Sequence, residues 1–99
     1  MAWEVRYTAT FEEGVDVAST KTPSAAAKAI IDKYSKNILA REDLVVDQEA
    51  GTKTGRIVFD TQANFEAYIA EVNAAVPLEE RHAPGVISVV REEGQEITV

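Results

Sequence analysis

The chain has no cysteine in its 99 residues. That excludes disulfides, cysteine-bound zinc, iron–sulfur clusters and thiol catalysis together. Small secreted domains usually lean on disulfides, so their absence favours a reducing compartment, and a cytoplasmic protein is expected. Long apolar runs are also missing, and none approaches the length needed to cross a bilayer as a helix, so no membrane association is expected. Met1-Ala2-Trp3-Glu4-Val5-Arg6 has no basic region followed by an apolar stretch and does not read as a signal peptide. Positive charge is scarce: 10 Lys and Arg stand against 17 Asp and Glu, a net charge of -7. Direct nucleic-acid binding is disfavoured, because phosphate attraction needs a basic surface.

What is present suits one small globular domain spanning residues 1–99. The hydrophobic share is 45%, enough apolar material to offset lost chain entropy. The charge is uneven. Between residues 21 and 41 stand Lys21, Lys28, Lys33, Lys36 and Arg41 against only Asp32, on an otherwise acidic molecule.

From Trp3 to Phe11 apolar and polar residues alternate, which places Trp3, Val5, Tyr7, Ala9 and Phe11 on one face of a half-buried strand. Glu12-Glu13-Gly14 suits a tight turn closed by a left-handed glycine, with Val15 to Val17 as a short returning strand. Thr22-Pro23 has the form of a helix start. Ala27, Ile30, Ile31, Tyr34 and Ile38 then form one apolar helical stripe, with Asn37 near its stop. Leu44–Gln48 and Arg56–Phe59 read as strands joined by a turn-rich stretch, Glu49 to Gly55. Asp60 or Thr61 caps a second helix carrying Phe65, Tyr68, Ile69, Val72 and Val76, which Pro77 ends. Leu78–Gly85 reads as a loop, Val86–Arg91 as a buried strand, and Gln95–Val99 as a short return.

This order of strand, helix, strand, strand, helix, strand resembles the ferredoxin-like superfold, a group that includes the dimeric α+β barrel proteins. The resemblance covers nearly the whole chain and rests on element order, without a family motif. It implies an α+β sandwich: an antiparallel sheet, two helices on one face, and extra short hairpin strands at both ends. Superfolds host many unrelated functions, so it implies no activity by itself.

The candidates for chemistry are few. His82 is the one acid–base candidate, because an imidazole ordinarily titrates near neutrality, yet sequence places no partner carboxylate or nucleophile beside it, and a loop histidine is the plainer reading. Gly51-Thr52-Lys53-Thr54-Gly55 departs from a phosphate-binding loop, whose lysine and hydroxyl follow the second glycine, and suits a hairpin turn. No cofactor-binding motif and no metal-ligand spacing is present. Lys28, Lys33 and Lys36 form a basic helix face that can meet an acidic partner or remain solvated. Glu66, Glu71, Glu79 and Glu80 belong to the acidic remainder, which can dock on a basic surface or serve solubility alone. Trp3 and Tyr7 can line a pocket, though a core role suits a sheet face covered by two helices.

The leading expectation is a non-enzymatic interaction module that binds another protein, including a second copy of itself, or acts as an acidic inhibitor or regulator. The alternative is a small enzyme or ligand-binding protein of the dimeric α+β barrel kind, with an apolar pocket between sheet and helices. A third reading is a structural subunit of a larger assembly, marked by a large exposed apolar patch.

Overall fold

Alternation organises the sheet. The computed structural model describes residues 1–19, 24–81 and 85–98. The alternating segment forms β1, Ala2–Phe11, the strand around which the others assemble. It is followed by α1 (Ala25–Lys33), β2 (Ile38–Asp47), β3 (Thr52–Phe59), α2 (Gln62–Ala75), the single-turn α3 (Leu78–Arg81), β4 (Val86–Arg91) and β5 (Gln95–Ile97). The strands form one antiparallel five-stranded sheet in the order β2-β3-β1-β4, with β5 also paired to β1.

Both long helices lie on one face. Val5, Ile57, Phe59 and Phe65 form a buried cluster, against which Trp3, Tyr34, Tyr68 and Ile69 pack. Phe59 is its centre, with rings of Tyr34, Phe65 and Tyr68 at centroid distances of 6.4, 5.6 and 5.1 Å. Ala27, Val72 and Val76 join α1 to α2. The caps follow local chemistry: the Ser24 hydroxyl accepts from the Ala27 amide, and the Thr61 hydroxyl from the Asn64 amide. The expected start at Thr22-Pro23 lies outside the described residues. The second helix has its expected cap, its apolar stripe, and Pro77 beyond its end.

Several expectations are corrected. Val15 to Val17 does not return as a strand. Val17 opens a 3-10 turn to Ser19, buried against Ala9 and Phe11. Gln48 holds this segment from across the fold, accepting from the Val17 amide at 2.9 Å and donating to the Val15 carbonyl at 2.8 Å. With its polar groups satisfied from β2's end, the segment has no need of a strand partner. Ile38 leaves the helical stripe and opens β2, because α1 ends at Lys33 and four turn residues separate them. β2 and β3 are longer than expected, so the connecting turn shrinks to residues 48–51. Gly55 is therefore a strand residue rather than a loop residue. Leu78–Arg81 is helical rather than irregular.

β4 is only half buried, since Ile87 and Val90 are 56% and 64% exposed. β5 forms no hairpin with β4. The two run in the same direction along one edge of β1, β4 opposite Tyr7–Phe11 and β5 opposite Ala2–Glu4. Glu92 keeps the edge continuous by donating its amide to the Arg6 carbonyl at 2.9 Å. No helix among the described residues is long and apolar enough to cross a membrane.

Candidate functional site

Strand parity and one missing side chain open a cleft between sheet and helices. Asp43, Gly55, Tyr7 and Arg91 stand side by side across β2, β3, β1 and β4. In the neighbouring row, Arg41 stands beside Ile57 and Ile57 beside Val5. A Cβ at Gly55 would lie 2.7 Å from Cζ of Tyr7 and 3.1 Å from the Glu42 carbonyl oxygen, far inside ordinary contact. Only glycine lets the tyrosine ring lie across β3 at this point.

The resulting cleft opens to solvent and has a cavity volume of about 80 Å³. Its walls are Val5 and Ile57 from the sheet and Phe65, Ile69 and Val72 from α2. Tyr7 and Tyr68 add phenol groups, and three cations reach it from separate elements: Arg41 from β2, Arg81 from α3 and Arg91 from β4. Burial raises the pKa of the Tyr7 phenol, with Arg41 the strongest opposing influence. Burial also raises that of Tyr68, while Arg41, Arg91 and Arg81 all oppose the rise. The Arg91 guanidinium is pushed the other way, first by burial and then by Arg81, with Tyr68 and Tyr7 partly offsetting both. Burial in low dielectric disfavours a charge, and a like charge nearby disfavours it further.

Among the described residues, none of the three arginines forms an ion pair. Arg81 is anchored by its Nε, which donates to the Val76 carbonyl at 2.9 Å. Glu92 and Glu93 line a neighbouring concavity that shares Arg91, Val5 and Phe65 with the cleft, without an ion pair to Arg91. The described lining of the main cleft has no carboxylate and no hydroxyl other than phenols. Its chemistry is therefore apolar contact, hydrogen bonding and attraction of negative charge. Among the described residues no group of acidic or histidine side chains is arranged to hold a metal.

The residues singled out in the sequence lie elsewhere. His82 and the Glu79 side chain lie outside the described residues. Lys28 and Lys36 are exposed on or near α1. Lys33 Nζ donates to Glu71 Oε1 at 2.8 Å, and the Tyr34 hydroxyl donates to Oε2 of the same carboxylate, tying α1 to α2. Glu66 accepts from Gln62 at 3.1 Å. Glu80 is half-buried, and its carbonyl accepts from the Ser24 amide at 3.2 Å. Lys53, in the turn-like glycine stretch, is buried at 3% exposure with Asp43 3.7 Å away.

Of Trp3 and Tyr7, the two aromatics that the sequence offers for a pocket, Tyr7 lines the cleft and Trp3 the neighbouring concavity, while the three arginines carry little or no signal. Arg91 carried a weak signal, since it shares parity with the inward-facing Val89 of β4. Arg41 and Arg81 carried none, because the bulges of β2 and the turn of α3 decide where they point.

No family model matches the chain, and no curated protein matches it in sequence. Among solved structures it is similar to the uncharacterized protein TM1266 from Thermotoga maritima, at 14% identity and a TM-score of 0.44, covering 93% of this chain and 96% of that one.

Proposed function

We propose that this chain is a small-molecule-binding domain of ferredoxin-like arrangement that holds its ligand between the sheet and the helices. The strand order β2-β3-β1-β4 with both long helices on one face supports the ferredoxin-like part of this reading. One observation carries the functional part: a cleft between sheet and helices with apolar walls and a few convergent polar groups. That is the make-up of ligand sites in general. The test is a ligand-observed NMR screen of small organic molecules against the wild-type chain and an Ile69→Trp variant whose indole fills the cleft. Hits should bind the wild type and vanish from a folded I69W. Hits that persist in I69W, or a screen without hits, would overturn the reading.

A second reading, an interaction module that pairs with another protein or a second copy, is favoured by β2. It stands at the end of the sheet order, and Leu39, Leu44, Val45 and Val46 are all exposed along it, with Val45 at 57%. An edge strand of this kind offers unpaired backbone groups beside apolar side chains. Light scattering across a concentration series checks it: self-association that Val45→Lys abolishes supports the module, and a monomer at every concentration removes the self-pairing form.

A further inference from the structure

The five arginines of the chain fall into two groups. Arg6 and Arg56 each donate to the carboxylate of Glu4 at 3.0 Å, and Arg56 also reaches Glu42 at 2.6 Å. Arg41, Arg81 and Arg91 converge on the cleft and, among the described residues, form no ion pair. Carboxylates are not in short supply, since acids outnumber bases 17 to 10. Arg81 opposes the charge of Arg91, which also loses hydration beside the apolar walls, while Arg41 adds an exposed third cation at the cleft; such an arrangement costs stability unless an anion completes it. Stability given up at a binding site is a recurrent mark of function.

We propose that the ligand of this cleft is an organic carboxylate with a compact, ring-sized apolar body. Its carboxylate lies among Arg41, Arg81 and Arg91, where planar guanidinium groups match its two oxygens. Its body lies against Ile57, Phe65 and Ile69, which offer nothing to a fully hydrated ion. Tyr7 and Tyr68 also line the cleft, with rings able to pack on the body. The proposal rests on the ligand-binding reading of the same cleft and adds the chemistry of the ligand.

The test uses the full chain and four probes, phenylacetate, hexanoate and their neutral amides, with inorganic phosphate as a fifth. Affinities are read by ligand-observed NMR and thermal shift at low ionic strength. Probes of this size should bind at about the millimolar level. The two carboxylates should bind at least tenfold more tightly than their amides and raise the melting temperature. Phosphate should bind more weakly than either. Arg91→Met should lower carboxylate affinity at least tenfold, leave amide affinity unchanged, and melt no lower than the wild type. Arg41→Met, on the exposed strand β2, should show the same selective loss and supplies the answer if R91M does not fold. Amides that match the carboxylates would overturn the anion while leaving the ligand-binding reading intact. Phosphate that matches the carboxylates would overturn the apolar body. Failure of all five probes in a chain whose cleft binds other neutral molecules overturns the proposal alone, whereas a cleft that binds nothing in the wider screen removes the reading beneath it.

Discussion

The two faces of the sheet treat their arginines in opposite ways. On the open face Arg6 and Arg56 share Glu4, a carboxylate only 6% exposed, and Glu42 completes the chain of pairs. Thr8 and Thr54 lie beside it and share a hydroxyl contact at 3.3 Å. On the covered face Arg41, Arg81 and Arg91 meet apolar walls and phenols. The first arrangement is self-sufficient. The second has no ion pair among the described residues. The difference teaches where to look for function, because a folded chain ordinarily satisfies its buried charges from within.

The largest expected effect separates the faces as packing surfaces. Phe59 is fully buried at the centre of the ring cluster, whereas Val90 stands 64% exposed on the other side. Phe59→Ala should cost about 3–5 kcal/mol, from lost transfer energy plus the cavity left behind. Val90→Ala should stay within about 0.5 kcal/mol. Urea denaturation of both variants measures this. Equal losses would mean that the open face is also a core, buried against something in solution.

Next comes the pair that breaks the charge comparison directly. Glu4→Ala removes the shared acceptor of two arginines and should cost about 2 kcal/mol, a value held down because Arg6 is half exposed and can turn to water. Arg91→Met removes a charge that repels its neighbours and should stabilise the unliganded chain by about 1 kcal/mol. Opposite signs are the point. If both substitutions destabilise to the same degree, the covered arginines have partners of their own and the contrast between faces disappears.

Little of that contrast was legible beforehand, and the reason is geometric. Residues whose neighbours lie close in sequence read correctly. Trp3 to Phe11 alternated because β1 is buried on one face along its length. Phe65 to Val76 repeated at helical spacing because α2 lays one stripe on the sheet. Thr61 and Pro77 marked its ends by local backbone chemistry. β2 gave a weaker pattern. It is exposed on both faces through most of its length, and its register slips near Ala40 and again near Leu44, so no period survives. β5 shares a turn-like approach, Glu92-Glu93-Gly94, with hairpins, yet its partner is β1, at the other end of the sequence, a choice that leaves no local trace. The site is harder still to read. Arg41, Arg81 and Arg91 meet only after three elements have packed, and single arginines in three unrelated segments look alike whether they end in water or in a cleft.

Acid should act on the carboxylates the fold uses and spare the cleft. The hydrogen bond from Arg6, aided by Arg56, holds the Glu4 carboxyl below its ordinary range despite burial. Asn64 and Asn37 do the same for Asp60. A carboxyl whose folded pKa is depressed adds stability at every pH above its ordinary value of about 4, and the addition is lost as pH falls through the folded value. Stability should therefore be flat near neutrality and decline below about pH 4. Glu4→Gln should start lower and decline less steeply. An unchanged slope in E4Q, followed by denaturant midpoints across the acid range, would show that the open-face pairs do not govern the acid response.

The smallest expected effect concerns two of the residues that the sequence offered as partner contacts. Lys33 and Glu71 are joined at 2.8 Å, but the lysine is 62% exposed, so the pair competes with water and salt. Its removal should move the melting temperature little. Tyr34 gives a more sensitive reading. Its hydroxyl donates to Glu71, and that bond is the main reason its phenol titrates above the ordinary value. Glu71→Gln should bring the Tyr34 titration back toward that value, followed by the phenolate absorbance or a labelled tyrosine signal, while Lys33→Ala should not lower it, since the Lys33 charge opposes the rise. Tyr7 and Tyr68, raised chiefly by burial and not by Glu71, should keep their titrations in both variants. A Tyr34 titration unmoved in E71Q would mean that the carboxylate does not hold the hydroxyl in solution. The Lys33–Glu71 surface would then be free for the partner contact that its charge first suggested.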